Sequence, residues 1–114
     1  MHEAALAESL FRMAGDAIAE RADARVREVH VLIGALAGVM PDALCFAFDA
    51  LKRKTPFEKA RMVLHTQPVR LSCGGCEAEY QPAAFPWTCP VCAVRSFRVI
   101  DGEDVILQSL ELEE

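Results

Sequence analysis

A chain of 114 residues has room for one domain, or one domain with a small satellite. Hydrophobic residues make up 53% of it, enough for a real core, but a chain this short has little stability to spare and small satellites often need a staple. The formal net charge is -5 with no basic run, which argues against nucleic acid, and no apolar stretch approaches the roughly 20 residues of a membrane span.

The start of the chain carries Glu3 and Glu8 and lacks the basic region and apolar core of a secretory signal, so a cytoplasmic protein is expected. In that compartment the five cysteines are expected as thiols or metal ligands rather than disulfides.

The first predicted element is an amphipathic helix from His2 to about Ala22. Leu6, Leu10, Met13 and Ala17 recur at helical spacing, and Phe11, Ala14 and Ile18 widen the stripe. Glu3 and Glu8 lie early and Arg21 late, as the helix dipole favours. In "RVREVHVLIG", Val29, Val31 and Ile33 alternate with Glu28, His30 and Leu32, the period of a strand with one buried face. "ALAGVMPD" reads as a loop leading to a second helix over about 41–53, with Pro41 and Asp42 in its first turn. That helix is expected to bury Leu44, Ala47, Phe48 and Leu51, and Thr55-Pro56 stops it.

Residues 60–72 read as a second extended stretch, interrupted or edged by Pro68. From Cys73 to Cys92 the chain turns rich in Cys, Gly, Pro and aromatics and loses its periodicity. "SFRVI" and "DVILQSLELE" follow, separated by "DGE", whose Asp-Gly predicts a tight hairpin turn. The last strand is expected to return to the first sheet. The fold class is thus α+β: a small mixed sheet with two helices, plus an inserted four-cysteine ribbon. Residues 1–70 and 102–114 would form the first domain and 71–101 the second.

Cys73-Gly-Gly-Cys76 and Cys89-Pro-Val-Cys92 are two C-x-x-C pairs separated by twelve residues. Each such turn points two thiolates at one ion, and two turns close a tetrahedron, which favours zinc or iron. Zinc is the default, and a complete sulfur shell makes the site structural rather than catalytic. The surrounding segment has too little apolar mass to fold unaided, so metal binding would supply most of its folding free energy. Tyr80, Phe85 and Trp87 would form a small apolar cluster beside it. A thiol-disulfide enzyme is the redox alternative, but such motifs usually use one C-x-x-C pair. A zinc ribbon that binds protein or nucleic acid is another. From Val69 to Asp101, however, Arg70, Arg95 and Arg98 are balanced by Glu77, Glu79 and Asp101, and the aromatics have no basic residues among them. Cys45, on the second helix, reads as a small buried apolar residue. His30 and His65 read as solvated or hydrogen-bonded strand histidines.

Two readings of His2 stand on the pattern alone. One is a frayed terminal residue. The other is a chelate: the Met1 amine, the His2 amide and the His2 imidazole can close five- and six-membered rings on one ion, with Glu3 as a further donor. Planar nitrogen donors suit Ni(II) or Cu(II).

The opening "MHE", the stretch "IGALAGVMPDALCFAFDAL", the paired C-x-x-C motifs and the closing "GEDVILQSLELEE" together resemble the HypA/HybF family of nickel metallochaperones in [NiFe]-hydrogenase maturation. The resemblance implies an α/β nickel-binding domain with a zinc ribbon. It implies His2 as the key nickel ligand with Glu3 beside it, and Cys73, Cys76, Cys89 and Cys92 as zinc ligands. Nickel is then transient cargo and zinc structural, and the protein is no enzyme. It further implies a nickel-handling GTPase and the hydrogenase large subunit as partners, with urease served by some members. Two departures stand out. Ala35 replaces a frequent acidic residue, which touches partner contacts. Ala93 replaces a usual glycine after the second C-x-x-C; that glycine commonly takes positive φ, at a cost of roughly 1 kcal/mol to a residue with a Cβ.

Overall fold

In the computed structural model, residues 2–82 and 87–113 are described. Two helices and two three-stranded sheets follow in the order α1 (Glu3–Ala17), β1 (Val26–Gly34), α2 (Pro41–Leu51), β2 (Arg61–Gln67), β3 (Arg70–Cys73), β4 (Glu79–Tyr80), β5 (Phe97–Asp101) and β6 (Val105–Leu112).

The first sheet has strand order β2-β1-β6. β1 pairs parallel with β2 and antiparallel with β6, so the closing strand does return to the first sheet, which is mixed. Val29, Val31 and Ile33 are buried as their alternation requires, while Glu28, His30 and Leu32 face the other side. β6 contributes Val105 and Leu107, then Leu110 and Leu112, to the same core. The shift from odd to even positions is produced by a register irregularity opposite His30 and Val31.

α1 is shorter than its apolar pattern suggests and buries a different stripe. Ala7, Leu10, Ala14 and Ile18 form the buried face, whereas Met13 is 46% exposed and Ala17 is exposed. The helix ends after Ala17 because the Ile18 and Ala19 amides bond to Gly15 and Asp16, three residues back, and tighten the chain into turns. α2 starts where expected, with Pro41 in its first turn, and buries Leu44 and Phe48, with Ala47 and Leu51 half-buried beside them. Phe11, Phe48 and Phe57 pack at 5.2–6.4 Å between ring centroids and tie the two helices to the loop before β2. Phe57, 2% exposed, lies outside every periodic segment.

The second sheet has order β4-β3-β5. The extended stretch 60–72 is therefore two strands of two different sheets. Pro68 divides them, since it has no N–H to donate to a ladder. The expected hairpin across Asp101-Gly102-Glu103 does not form: β5 and β6 belong to separate sheets. Gly102, at φ +113°, turns the chain from one sheet to the other. Its carbonyl accepts from the Leu36 amide at 2.7 Å, the Gly34 amide donates to Asp104 at 2.8 Å, and the Ala35 amide to Gln67 at 3.0 Å. The two connecting strands are thus fastened to the end of β1. A Cβ at Gly34 would lie 2.2 Å from the Gly102 carbonyl oxygen, so only glycine fits there. Leu71, Cys73, Tyr80 and Cys89 form a small second core, with Trp87 and Val99 against it. Phe85, expected in that cluster, lies outside the described residues.

Candidate metal centres

The four cysteines converge at the end of the second sheet. Cys73 Sγ lies 3.4 Å from Cys92 Sγ, and Cys76 Sγ lies 3.7 Å from Cys89 Sγ. One ligand atom from each of the four falls within 4.8 Å of the others. Disulfide sulfurs sit about 2.05 Å apart. Sulfurs bound tetrahedrally to zinc at about 2.3 Å are separated by roughly 3.8 Å. The spacing is that of a thiolate cage rather than of two crosslinks.

Two backbone knuckles of the same design build the cage. In the first, the Glu77 amide donates to Cys73 O and the Cys73 amide to Ala78 O. In the second, the Ala93 amide donates to Cys89 O and the Cys89 amide to Val94 O. The leading cysteine of each pair, Cys73 or Cys89, is 2% exposed, and the trailing one, Cys76 or Cys92, faces solvent. The Gly75 and Cys76 amides reach Cys73 Sγ at 3.2 and 3.4 Å, and the Val91 amide reaches Cys89 Sγ at 3.4 Å. Each knuckle closes on a residue with positive φ, Glu77 and Ala93, both at +64°. Ala93 therefore keeps the glycine-like backbone despite its Cβ.

The electrostatics call for a cation. Amide donation from Cys76 and then Gly75 brings the Cys73 thiol down to about 6. Cys92 is pushed up to about 12: the Val94 amide favours its thiolate, but hydrogen bonding with Cys73, burial, and the Cys76 and Cys89 sulfurs outweigh it. Four sulfurs this close cannot all ionise unless a positive ion sits among them. A tetrahedral thiolate set with no vacant position fits structural zinc. Tyr80 flanks the cage and donates its hydroxyl to the Trp87 carbonyl at 3.3 Å.

Cys45 stands apart, half-buried on α2, with its thiol pushed up by burial and then by Asp49 and Asp42. That is an unreactive thiol, as the sequence suggests.

His2 is the N-cap of α1. Its carbonyl accepts from the Leu6 amide at 3.0 Å, which is the capping geometry, yet its side chain makes no capping hydrogen bond. Ser, Thr, Asp or Asn would serve that position better. The imidazole is instead exposed, on a groove of about 460 Å³ lined also by Glu3, Glu8, Phe46, Ala47 and Leu51. Glu3 has a structural task of its own. One of its carboxylate oxygens accepts from the Met40 amide, the N-cap of α2, at 2.8 Å. That hydrogen bond, followed by its own backbone amide, holds Glu3 below the usual carboxylate range. It ties the starts of the two helices together. Met1 lies outside the described residues. The exposed apolar residues beside the groove, Met40 at 64% and Phe46 at 78%, were not singled out in the sequence. Their signal was available: two large apolar side chains off the buried stripe of α2.

A profile of the family described as hydrogenase/urease nickel incorporation, metallochaperone, HypA, matches residues 1–112. The chain belongs to the HypA family. It is 36% identical over 113 residues to the hydrogenase maturation factor HypA of Picosynechococcus sp., covering 98% of this chain and 99% of that one. It is 36% identical to the factor of the same name from Roseiflexus sp., covering 100% and 94%, and 37% identical to that of Chloroflexus aurantiacus, covering 97% and 98%. The solution structure of the Ni metallochaperone HypA from Helicobacter pylori superimposes with a TM-score of 0.74 at 22% identity, covering 98% and 97% of the two chains. A second HypA solution structure gives 0.78, also at 22% identity, over 99% and 97%. These two likenesses carry the HypA fold. The α+β architecture and the four-cysteine metal site of this chain are those of a nickel-incorporation metallochaperone family.

Proposed function

We propose that this HypA-family chain carries Ni(II) at its N-terminus, holds Zn(II) in the four-cysteine cage, and delivers nickel for [NiFe]-hydrogenase maturation without catalysing a reaction itself. Nickel would be bound by the His2 imidazole and amide, by the Met1 amine where that amine is free, and with support from Glu3. Cys73, Cys76, Cys89 and Cys92 would bind zinc. Residues 1–70 and 102–114 would act as the nickel-binding domain and 71–101 as the zinc ribbon. The cytoplasm is the proposed compartment; among the described residues no helix is long and apolar enough to cross a membrane.

The observation that carries the nickel assignment is the state of His2. It occupies a helix N-cap without using its side chain to cap, and its imidazole is exposed on a groove. A nickel site of amine, amide and imidazole nitrogens at a chain end is open on several sides. It can pass its ion to an incoming ligand without unfolding anything. Met40 and Phe46 beside it offer apolar surface for a protein partner. The partners proposed are a nickel-handling GTPase of the maturation pathway and the hydrogenase large subunit, and no nucleic acid.

The test is a nickel titration of zinc-loaded, untagged protein beside His2→Ala. The parent takes one nickel per chain at its N-terminus with the zinc retained, and His2→Ala loses it. Equal nickel binding by the two would overturn the assignment.

A further inference from the structure

The face of the first sheet turned away from the helices carries a second group of metal-ligating side chains. Glu28 and His30 project from β1, Arg61 and His65 from β2, and Glu111 from β6. In the register of the sheet Glu28 lies directly opposite Glu111, and Leu32 opposite His65. Like charges directly opposite on antiparallel strands destabilise a sheet unless a cation stands between them.

His30 lies between them. Its Nε2 is 3.0 Å from Glu28 Oε1 and 3.5 Å from Glu111 Oε2. These three donor atoms all fall within 4.8 Å of one another. A first-row divalent ion with nitrogen and oxygen ligands at about 2.1 Å holds neighbouring donors roughly 3.0–3.4 Å apart. The other ring nitrogen, Nδ1, is 2.9 Å from His65 Nε2. With Nε2 on an ion, Nδ1 carries the proton and donates it to His65. That is the outer hydrogen bond that fixes tautomer and ring orientation in metal-bound histidines. The two imidazoles lie nearly parallel, at an interplanar angle of 12°. Arg61 binds the remaining oxygen of Glu28, Oε2, at 2.6 Å and leaves Oε1 toward His30. The side chains of Glu28 and His30 are each 20% exposed, so the donors are partly shielded yet open to solvent.

We propose that His30 Nε2, Glu28 and Glu111 form a second divalent-metal site, with His65 as its orienting partner. The site takes a first-row transition ion such as Ni(II), since one imidazole with two carboxylates selects such ions over Mg(II). Water would complete the shell. Arg61, and Arg27 at 3.8 Å from Glu111, add positive charge nearby and make this a weak site that exchanges with the medium. The alternative occupant of the same geometry is a proton on Nε2, which would pair with the two carboxylates without any metal.

Amide-resolved NMR of the zinc-loaded, full-length His2→Ala protein, titrated with Ni(II), separates the two. The His2 substitution removes the proposed terminal ligand, and the position of the broadening identifies the site whatever His2 does. The expected result is saturable paramagnetic broadening centred on residues 28–31 and 109–112. It should be weakened at least about tenfold by Glu111→Gln, which keeps the size of the side chain, and abolished by His30→Ala. His65→Ala weakens binding about tenfold while leaving broadening at the same residues. Mg(II) at millimolar concentration should not displace the nickel. Absence of broadening there, displacement by Mg(II), or unchanged broadening in both His30→Ala and Glu111→Gln would overturn the site and leave the protonated ion pair.

Discussion

Replacing Ala93 with glycine should tighten zinc binding. Ala93 holds φ at +64°, closing the second cysteine knuckle. An L-residue in that region pays about 1–2 kcal/mol for the approach of its Cβ to the following carbonyl. Glycine removes that cost but gives back about 0.4–1 kcal/mol through the greater freedom of the unfolded chain. Taking the middle of each range, the net gain is about 0.8 kcal/mol. Because folding of the ribbon and metal binding are linked, the gain appears in the apparent zinc affinity, as a two- to fivefold decrease in Kd, at about 1.4 kcal/mol per decade. Competition against a chromogenic chelator at fixed pH measures it. Ala93→Val, which brings a branched side chain to the same φ, should move the affinity the other way. Zinc affinity unchanged or weakened in Ala93→Gly would refute the strain at this turn.

Gly34→Ala should cost about 3 kcal/mol or more, the upper end of overpacking, because the new Cβ meets backbone 2.2 Å away at Gly102. A urea-unfolding loss below about 1 kcal/mol would mean that the connection between the sheets gives way freely. The folded-state pKa of Glu3 lies below its ordinary 4.5, so its bond to the Met40 amide contributes stability that is fully present above that value and lost as pH falls through the lowered one. Glu3→Gln should therefore have a lower urea midpoint than the parent near pH 7, and the gap should close as the pH falls through the lowered Glu3 pKa. A gap that stays the same as the pH falls would contradict the capping role.

The zinc cage was the most legible part of the sequence, because two C-x-x-C pairs fix ligand spacing locally and need little tertiary information. β1 was legible for a similar reason: Val29, Val31 and Ile33 alternate without interruption. The buried face of α1 was not. Its residues are apolar on several sides, and only packing against α2 and the first sheet decides that Leu10, Ala14 and Ile18 go inward while Met13 goes out. The Asp101-Gly102 turn misled because a positive φ is common to hairpins and to crossings between sheets. What separates the two is the partner of each strand, a non-local fact. Glu28, His30 and Glu111 were hidden for the same reason, since Glu111 comes from 81 residues beyond His30. A trace was present in β6, whose apolar residues change from Val105 and Leu107 to Leu110 and Leu112. That switch of parity marks the irregularity that turns Glu111 to the face of His30. At the N-terminus the spacing of donors was readable from "MHE", but the second role of Glu3 needed α2 in place.

The account rests on two metals sorted to separate sites, nickel at His2 and zinc in the four-cysteine cage. X-ray absorption at both metal edges, on untagged protein carrying zinc and one equivalent of nickel, tests that most directly. The predicted zinc spectrum has four sulfurs at about 2.3 Å. The predicted nickel spectrum has nitrogen and oxygen neighbours with imidazole scattering and no sulfur. Sulfur in the nickel shell, or nitrogen and oxygen in place of sulfur around zinc, would contradict the account.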